Sequence, residues 1–380
     1  MQIKNLLKKK RVIIPVVLLS LGMASGIIVW TINMIHYRNN VMDVEDYEPN
    51  STLVVPKHEL KHAKFPFIDV HNHQWTMPIQ DLDKLIKEMD SLNMGVMVNL
   101  SGFRGKFLEW SLDNVNENYP KRFAVFLNID FEDLDDKGWP YEALAMMEEA
   151  VKQGARGLKV YKGLGLTDKD NDGQRIAVDD PRLDPIWAKC GELGIPVLIH
   201  SGEPNSFWNP KDKHNERWLE LKQEPSRYRD PEKVPSFEQI MSEQHTVFRK
   251  HKNTKFIDAH LGWFGNDLDR LGKLFDEMPN VYTELGAVLA ELGRQPKAAR
   301  TFLIKYQDRV MFGKDTYKME EYYTYFRVLE TGDEYFDYYR KRHAHWKMYG
   351  LELPDSVLKK IYYRNALNVI PGIDSTLFPL

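Results

Sequence analysis

Phe67-Ile68-Asp69-Val70-His71-Asn72-His73 runs as a mostly apolar strand and then sets two histidines one residue apart. In an extended chain, residues two apart point to the same side. His71 and His73 therefore aim two imidazoles at one point just past the strand end, which is half of a metal site. Taken alone, such a pair is more often two polar residues in a turn. The rest of the chain decides between them.

Downstream of this stretch, short apolar runs alternate with longer amphipathic segments. The runs are Phe67–His71, Gly95–Leu100, Phe123–Ile129, Gly157–Tyr161, Pro196–His200, Lys255–His260, Val281–Leu285 and Val310–Gly313. Between them lie helix-like stretches such as Asp81–Leu92, Tyr141–Gln153, Asp184–Leu193, Asp267–Glu277 and Pro296–Tyr306. Strands alternating with helices imply parallel βαβ units, and eight of them predict an α/β fold of the (β/α)8 TIM-like barrel type. An open doubly wound sheet is the alternative; the Gly-rich phosphate turn it would carry after the first strand is missing. Residues 203–250, rich in Trp and Pro, are too long for an ordinary loop and predict a lid or side wall. Met319–Tyr349 predicts a long aromatic helical stretch packed against the barrel, and Asp355–Val369 a closing helix.

Barrel active sites form at the C-terminal ends of the strands. Reading those ends in order gives His71 and His73, then His200, His260 and Asp315. A single strand-end histidine is usually a satisfied structural one. Five such residues on one rim are hard to explain by packing.

On His71-Asn72-His73, His200, His260-Leu261-Gly262 and Gly313-Lys314-Asp315, the chain resembles the amidohydrolase superfamily. The branch is the amidohydrolase-related (amidohydrolase 2) one of metal-dependent hydrolases, which contains lactonases, decarboxylases and hydratases. The likeness spans roughly residues 65–370. It implies that His71, His73, His200 and Asp315 hold one divalent metal, zinc or else manganese, whose bound water is acidified toward neutrality. It further implies that Asp315 takes the water's proton and passes it to the leaving group, while His260 orients the water or polarises the substrate carbonyl. Lys159 stands where binuclear relatives carry a carboxylated lysine; its other readings are a contact to a substrate carboxylate or phosphate, and a structural salt bridge. Glu203, Glu284 and Arg294 are further substrate-binding candidates, each with a rim salt bridge as its rival. Trp75, Trp208 and Trp263 are expected to shape the pocket.

The expected function is hydrolysis of a carbonyl-adjacent C–O or C–N bond in a lactone, ester or amide. The first alternative is non-oxidative decarboxylation of an aromatic or unsaturated acid; the second, from another class, is a non-catalytic ligand-binding barrel. Asp168-Lys169-Asp170-Asn171-Asp172-Gly173, with Asp179 six residues on, follows a calcium-loop pattern, although Asp179 replaces the usual Glu.

The 380 residues are 43% hydrophobic and 28% charged, enough for a sizeable core. A net charge of −3 argues against a nucleic-acid partner. One cysteine, Cys190, excludes an internal disulfide and a thiolate cluster, so a metal here is held by nitrogen and oxygen. At the start, a basic tail over residues 1–11 precedes an uncharged run over 12–35, the length of a membrane-spanning helix. A signal segment cut near Gly22–Gly26 is the alternative. The basic cluster places the catalytic part on the non-cytoplasmic (periplasmic or extracellular) side of a single-pass anchor. Residues 36–64 are expected to form a linker, with His58 and His62 solvated, and 65–380 the barrel. Small-molecule substrate, the membrane and a homodimer partner complete the expectations.

Overall fold

The computed structural model describes residues 2–131 and 133–379, with side chains from Ser20 onward except Asn39. It divides into two units, Met1–Val54 and Val55–Leu380.

The first unit carries one helix, α1 (Gln2–Asn39). The expected transmembrane anchor is corrected here. Its first part, through residue 19, lies outside the described side chains, and among the described residues no helix is long and apolar enough to cross a membrane. Ser20, Gly22, Ser25, Gly26, Thr31 and Asn33 dilute the helix's apolar character. The membrane partner and the single-pass, non-cytoplasmic placement that rested on that anchor are withdrawn with it.

The second unit is the parallel barrel. Its strands are β1 (Phe67–Asn72), β2 (Met94–Asn99), β3 (Phe123–Val125), β4 (Leu127–Asn128), β5 (Leu158–Val160), β6 (Val197–Ile199), β7 (Phe256–Asp258), β8 (Val281–Glu284) and β9 (Val310–Met311). β3 and β4 are one expected strand interrupted at Phe126. The order is β1-β2-β3 and β4 through β9, every pairing parallel. The ring closes where the Val70 N–H donates to the Phe312 carbonyl (3.0 Å) and the Asp315 N–H to that of His71 (2.6 Å). β1 is buried at all six positions, because helices cover a parallel barrel outside and side chains fill it inside.

The outer helices start where capping chemistry allows. Asp81 caps α2 (Leu82–Leu92) by accepting from the Asp83 N–H, and Ser236 caps α7 (Phe237–Lys250) through the Gln239 N–H. Asn93 ends α2 in the left-handed region at φ 64°. The remaining cover includes α3 (Gly105–Asn118), α4 (Trp139–Gln153), α5 (Asp184–Leu193), α6 (Trp218–Gln223), α8 (Leu268–Glu277), α9 (Leu289–Gly293) and α10 (Pro296–Lys305). The aromatic stretch after β9 is helical only as α11 (Met319–Glu330); Thr331, Gly332 and Asp333 end it, and the chain to Gly350 is irregular. Tyr322, Tyr325 and Phe326 of α11 are buried.

Residues from Val55 belong to the barrel unit rather than to a free linker. His58 is pinned there, its N–H and Nδ1 both on the buried Asp333 carboxylate (2.8 and 2.5 Å).

Under the strand that carries the histidines, Phe67 packs against Phe312 (4.7 Å), Phe326 (5.5 Å) and Tyr362 (6.0 Å). Phe67→Ala is expected to cost about 3–5 kcal/mol, read as a lowered urea midpoint. A loss below about 1 kcal/mol would contradict the role given to this cluster.

Candidate metal centre

β1 ends in His71 and His73, β6 leads into His200, β7 into His260, and the turn after β9 carries Asp315. The ligand atoms of His71, His260 and Asp315 lie within 4.8 Å of one another, a site for one divalent ion. His73 stands next to them, its Nε2 3.7 Å from Asp315 Oδ1. His200 meets the His260 ring edge-on at 4.5 Å, and its Nε2 is buried with no hydrogen-bond partner.

The protonation pattern follows from the partners. His71 Nδ1 faces Glu284 Oε1 at 2.9 Å, and His260 Nδ1 faces the Gly286 carbonyl at 2.8 Å. Both partners accept, so both Nδ1 atoms carry the proton and both Nε2 atoms present lone pairs. His71 Nε2 then stands 3.3 Å from Asp315 Oδ1, an acceptor facing an acceptor in a buried place. No hydrogen bond relieves that contact, whereas a cation between the two does.

The electrostatics agree. Burial holds the His71 and His200 rings well below the usual imidazole range and His73 down to about 4, so all three stay neutral. For Asp315, burial disfavours the carboxylate, but attraction to His71, His260 or His73 in their protonated forms outweighs it and keeps the value low, at about 2, so the carboxylate is ionised wherever the rings are neutral. Neutral imidazoles beside an ionised carboxylate are the donor set a divalent ion of the zinc type takes.

Two buried carboxylates position this set. Glu284 accepts from His71 Nδ1, from the His260 N–H (2.6 Å) and from the Gly286 N–H. Gly313 passes so close that an added Cβ would lie 2.1 Å from Glu284 Oε2. Asp69 takes four donors: the N–H groups of His71 and Lys314 (3.1 Å each), Asn72 Nδ2 (2.9 Å) and the Tyr322 hydroxyl (2.6 Å). It thereby fastens the strand carrying His71 to the turn carrying Asp315. Beyond β7, His260, Leu261, Gly262 and Trp263 all have φ near +60°, a left-handed turn wrapped on the Asp258 carboxyl. An added Cβ at Gly262 would meet Asp258 Oδ2 at 2.3 Å. Burial pushes Asp258 up to about 8.

Of the substrate-binding candidates, only Lys159 is an unengaged group beside the metal set. Its Nζ is buried without a partner, and burial lowers it to about 7. Glu203 is taken by Lys162 Nζ (2.6 Å) and Arg229 Nη2 (2.7 Å). Glu284 lies behind the histidines. Arg294 pairs with Glu216 (2.7 Å) and Glu291 (2.5 Å) and covers the Trp346 ring. Trp263 packs on the His260 ring at 4.6 Å and Trp75 on that of His73 at 5.4 Å, while Trp208 donates to the Pro235 carbonyl under the 203–250 segment. Of the calcium-like loop's acids, Asp170 pairs with the Arg182 guanidinium from beyond the loop, which also meets Asp135 and Asp180.

Asp69 and the positioning role of Glu284 were not read from the sequence. A carboxylate two residues before the histidine pair, inside an otherwise apolar strand, was the available signal for Asp69.

A family profile described as amidohydrolase matches residues 68–371. No curated protein sequence matches the chain. Among solved structures the chain is similar to 2,6-dihydroxybenzoate decarboxylase complexed with 2,6-dihydroxybenzoate, at 14% identity over 80% of this chain and 99% of that one, TM-score 0.52. An uncharacterized TIM-barrel protein from Bordetella bronchiseptica shares 18% identity over 80% and 98%, TM-score 0.49. An amidohydrolase from Burkholderia multivorans with bound zinc shares 14% over 80% and 98%, TM-score 0.44. Likeness at these identities concerns the barrel and not the reaction.

Asp69→Asn sets an amide N–H against four donors, of which the Tyr322 hydroxyl alone can turn to accept. It is expected to weaken divalent-metal binding about 10–100-fold in a chelator competition. Unaltered affinity would remove Asp69 from the support of the site.

Proposed function

The chain belongs to the amidohydrolase family and is a metal-dependent enzyme; from that premise we propose that it hydrolyses a carbonyl-adjacent C–O or C–N bond with one zinc ion at the His71, His260 and Asp315 cluster. The observation that carries the reading is the pair of opposed acceptors, His71 Nε2 and Asp315 Oδ1, held 3.3 Å apart with the Nδ1 proton of His71 fixed by Glu284. His73 and His200 stand beside the cluster as further nitrogen donors. When bound, the ion supplies Lewis-acid chemistry: it lowers the pKa of water and polarises a carbonyl oxygen.

The chain's own residues supply the rest. Asp315, kept ionised among the imidazoles, accepts the proton of the attacking water and returns it to the leaving oxygen or nitrogen. Glu284 and the Gly286 carbonyl keep the His71 and His260 rings in one tautomer and orientation. Trp263 and Trp75 wall the site with apolar surface and limit the access of bulk water.

Lys159 favours a second reading, decarboxylation of an aromatic or unsaturated acid. A buried amine with no hydrogen-bond partner, its Nζ over the Tyr161 ring at 5.4 Å, takes up a proton readily when a substrate carboxylate arrives beside it. The two readings differ in product: hydrolysis gives a carboxylate and an alcohol or amine, decarboxylation gives carbon dioxide.

Metal analysis of the full chain is expected to return one zinc per chain, falling below about 0.1 in His71→Ala. Removal by a chelator should abolish turnover of lactones and aryl esters, and zinc should restore it. Asp315→Asn should lower kcat by about 10²–10⁴. Full activity in the stripped protein, or in Asp315→Asn, would overturn the assignment. Carbon dioxide release from aromatic acids with no ester or lactone turnover would replace hydrolysis by the second reading.

A further inference from the structure

A file of aromatic rings leaves the metal centre and runs out to solvent. It starts at His73, on which the Trp75 ring lies nearly parallel (5.4 Å, 8°), with Tyr161 alongside Trp75 at 5.9 Å. It continues from Trp75 to Phe103 (6.0 Å), to Phe107 (5.8 Å) and to Trp110 (5.4 Å). Phe107 and Trp110 lie one turn apart on α3. Trp75, Phe107 and Trp110 are 55%, 56% and 47% exposed, a large apolar area to leave in water.

The middle ring is held at a cost. Phe103 sits at φ +65°, where a bulky side chain is strained, and Asn128 fixes it from both sides. The Phe103 N–H donates to Asn128 Oδ1 (2.9 Å) and the Asn128 N–H to the Phe103 carbonyl (2.9 Å). That clamp keeps the phenyl ring in line between Trp75 and Phe107.

We propose that this file is a substrate subsite for an extended alkyl chain carried on the acyl group, so that the natural substrate is an amphiphilic ester, lactone or amide. The proposal rests on the hydrolytic reading of the adjoining metal centre. Two features support it. The file is continuous with the site, so a chain bound at the metal set can extend over these rings. Beyond Trp75 successive rings are tilted by 63°, 47° and 77°, alternating edges and faces with no plane on which a flat polycycle or a sugar ring could lie. A flexible chain conforms to such a surface, and each methylene laid on it gains from leaving water.

The test uses metal-loaded full chain with p-nitrophenyl acetate, hexanoate and dodecanoate, all below micelle-forming concentrations. One-sided burial corresponds to roughly a 1.5–2-fold gain per methylene. The ratio of kcat/KM between dodecanoate and hexanoate is therefore expected to be about tenfold or more, carried by KM. The exposed double variant Phe107→Ser/Trp110→Ser should bring that ratio within about twofold of unity and leave acetate turnover unchanged. A second arm measures calorimetric binding of dodecanoate, which requires no hydrolysis and should weaken about tenfold in the variant. Variant-sensitive dodecanoate binding without ester turnover would keep the subsite and sink the hydrolytic reading. Absence of chain-length dependence in both arms, or a dependence the double variant leaves intact, would overturn the subsite. So would a dimer that this variant converts to monomer while binding dodecanoate normally, which would give the rings to a second copy of the chain.

Discussion

Everything at the metal centre depends on the buried carboxylate of Asp69. A carboxylate inside a barrel wall is costly unless its lone pairs are occupied, and here four donors occupy them. Two of those donors are backbone N–H groups from the first strand and from the turn after the last. The chemistry therefore stands on the seam where the barrel closes: the bond that aligns β1 with β9 also sets the distance between His71 and Asp315. Even with this help, burial raises Asp69 to about 6, a measure of how dry the seam is.

A second layer of order comes from charge pairing above the barrel. Arg217 in the 203–250 segment is buried between Glu220 (2.8 Å) and Glu291 (2.6 Å), and Glu220 also receives Arg227 (2.6 Å). Such pairs are worth little to stability on balance, but breaking one strands a buried charge. Their effect is to fix the segment in one arrangement over the strand ends, with Glu203 as another anchor.

Much of this was legible in the sequence. The two-residue period of Phe67–His73 disclosed the strand and its paired imidazoles, and the same reading of later strand ends gave His200, His260 and Asp315. What stayed hidden was non-local. Glu284 reads as a rim acid until the fold slides it behind two histidines that lie 213 and 24 residues away. Glu203 and Arg294 left open a choice between substrate contact and rim salt bridge, which depends in part on Arg229 and Glu216, on a segment whose path no periodicity sets. The helix after β9 stops at Glu330, nineteen residues before the aromatic pattern does, because composition does not register where Thr331-Gly332-Asp333 turns the chain. The N-terminal run was read from its lack of charge; in the part that is described, small and polar residues from Ser20 to Asn33 interrupt it, and among the described residues no helix is long and apolar enough to cross a membrane.

The left-handed turn at His260–Trp263 also fixes an order of assembly. Three of its four residues carry side chains that oppose positive φ, so the turn has no stability of its own in an unfolded chain. It is held only once β8 brings Glu284 up to the His260 amide, and contacts so distant in sequence form slowly. A nascent chain that has just emerged past residue 263 thus has all its histidine donors but no pocket. An ion met at that stage finds nitrogen donors that no folded turn yet orients.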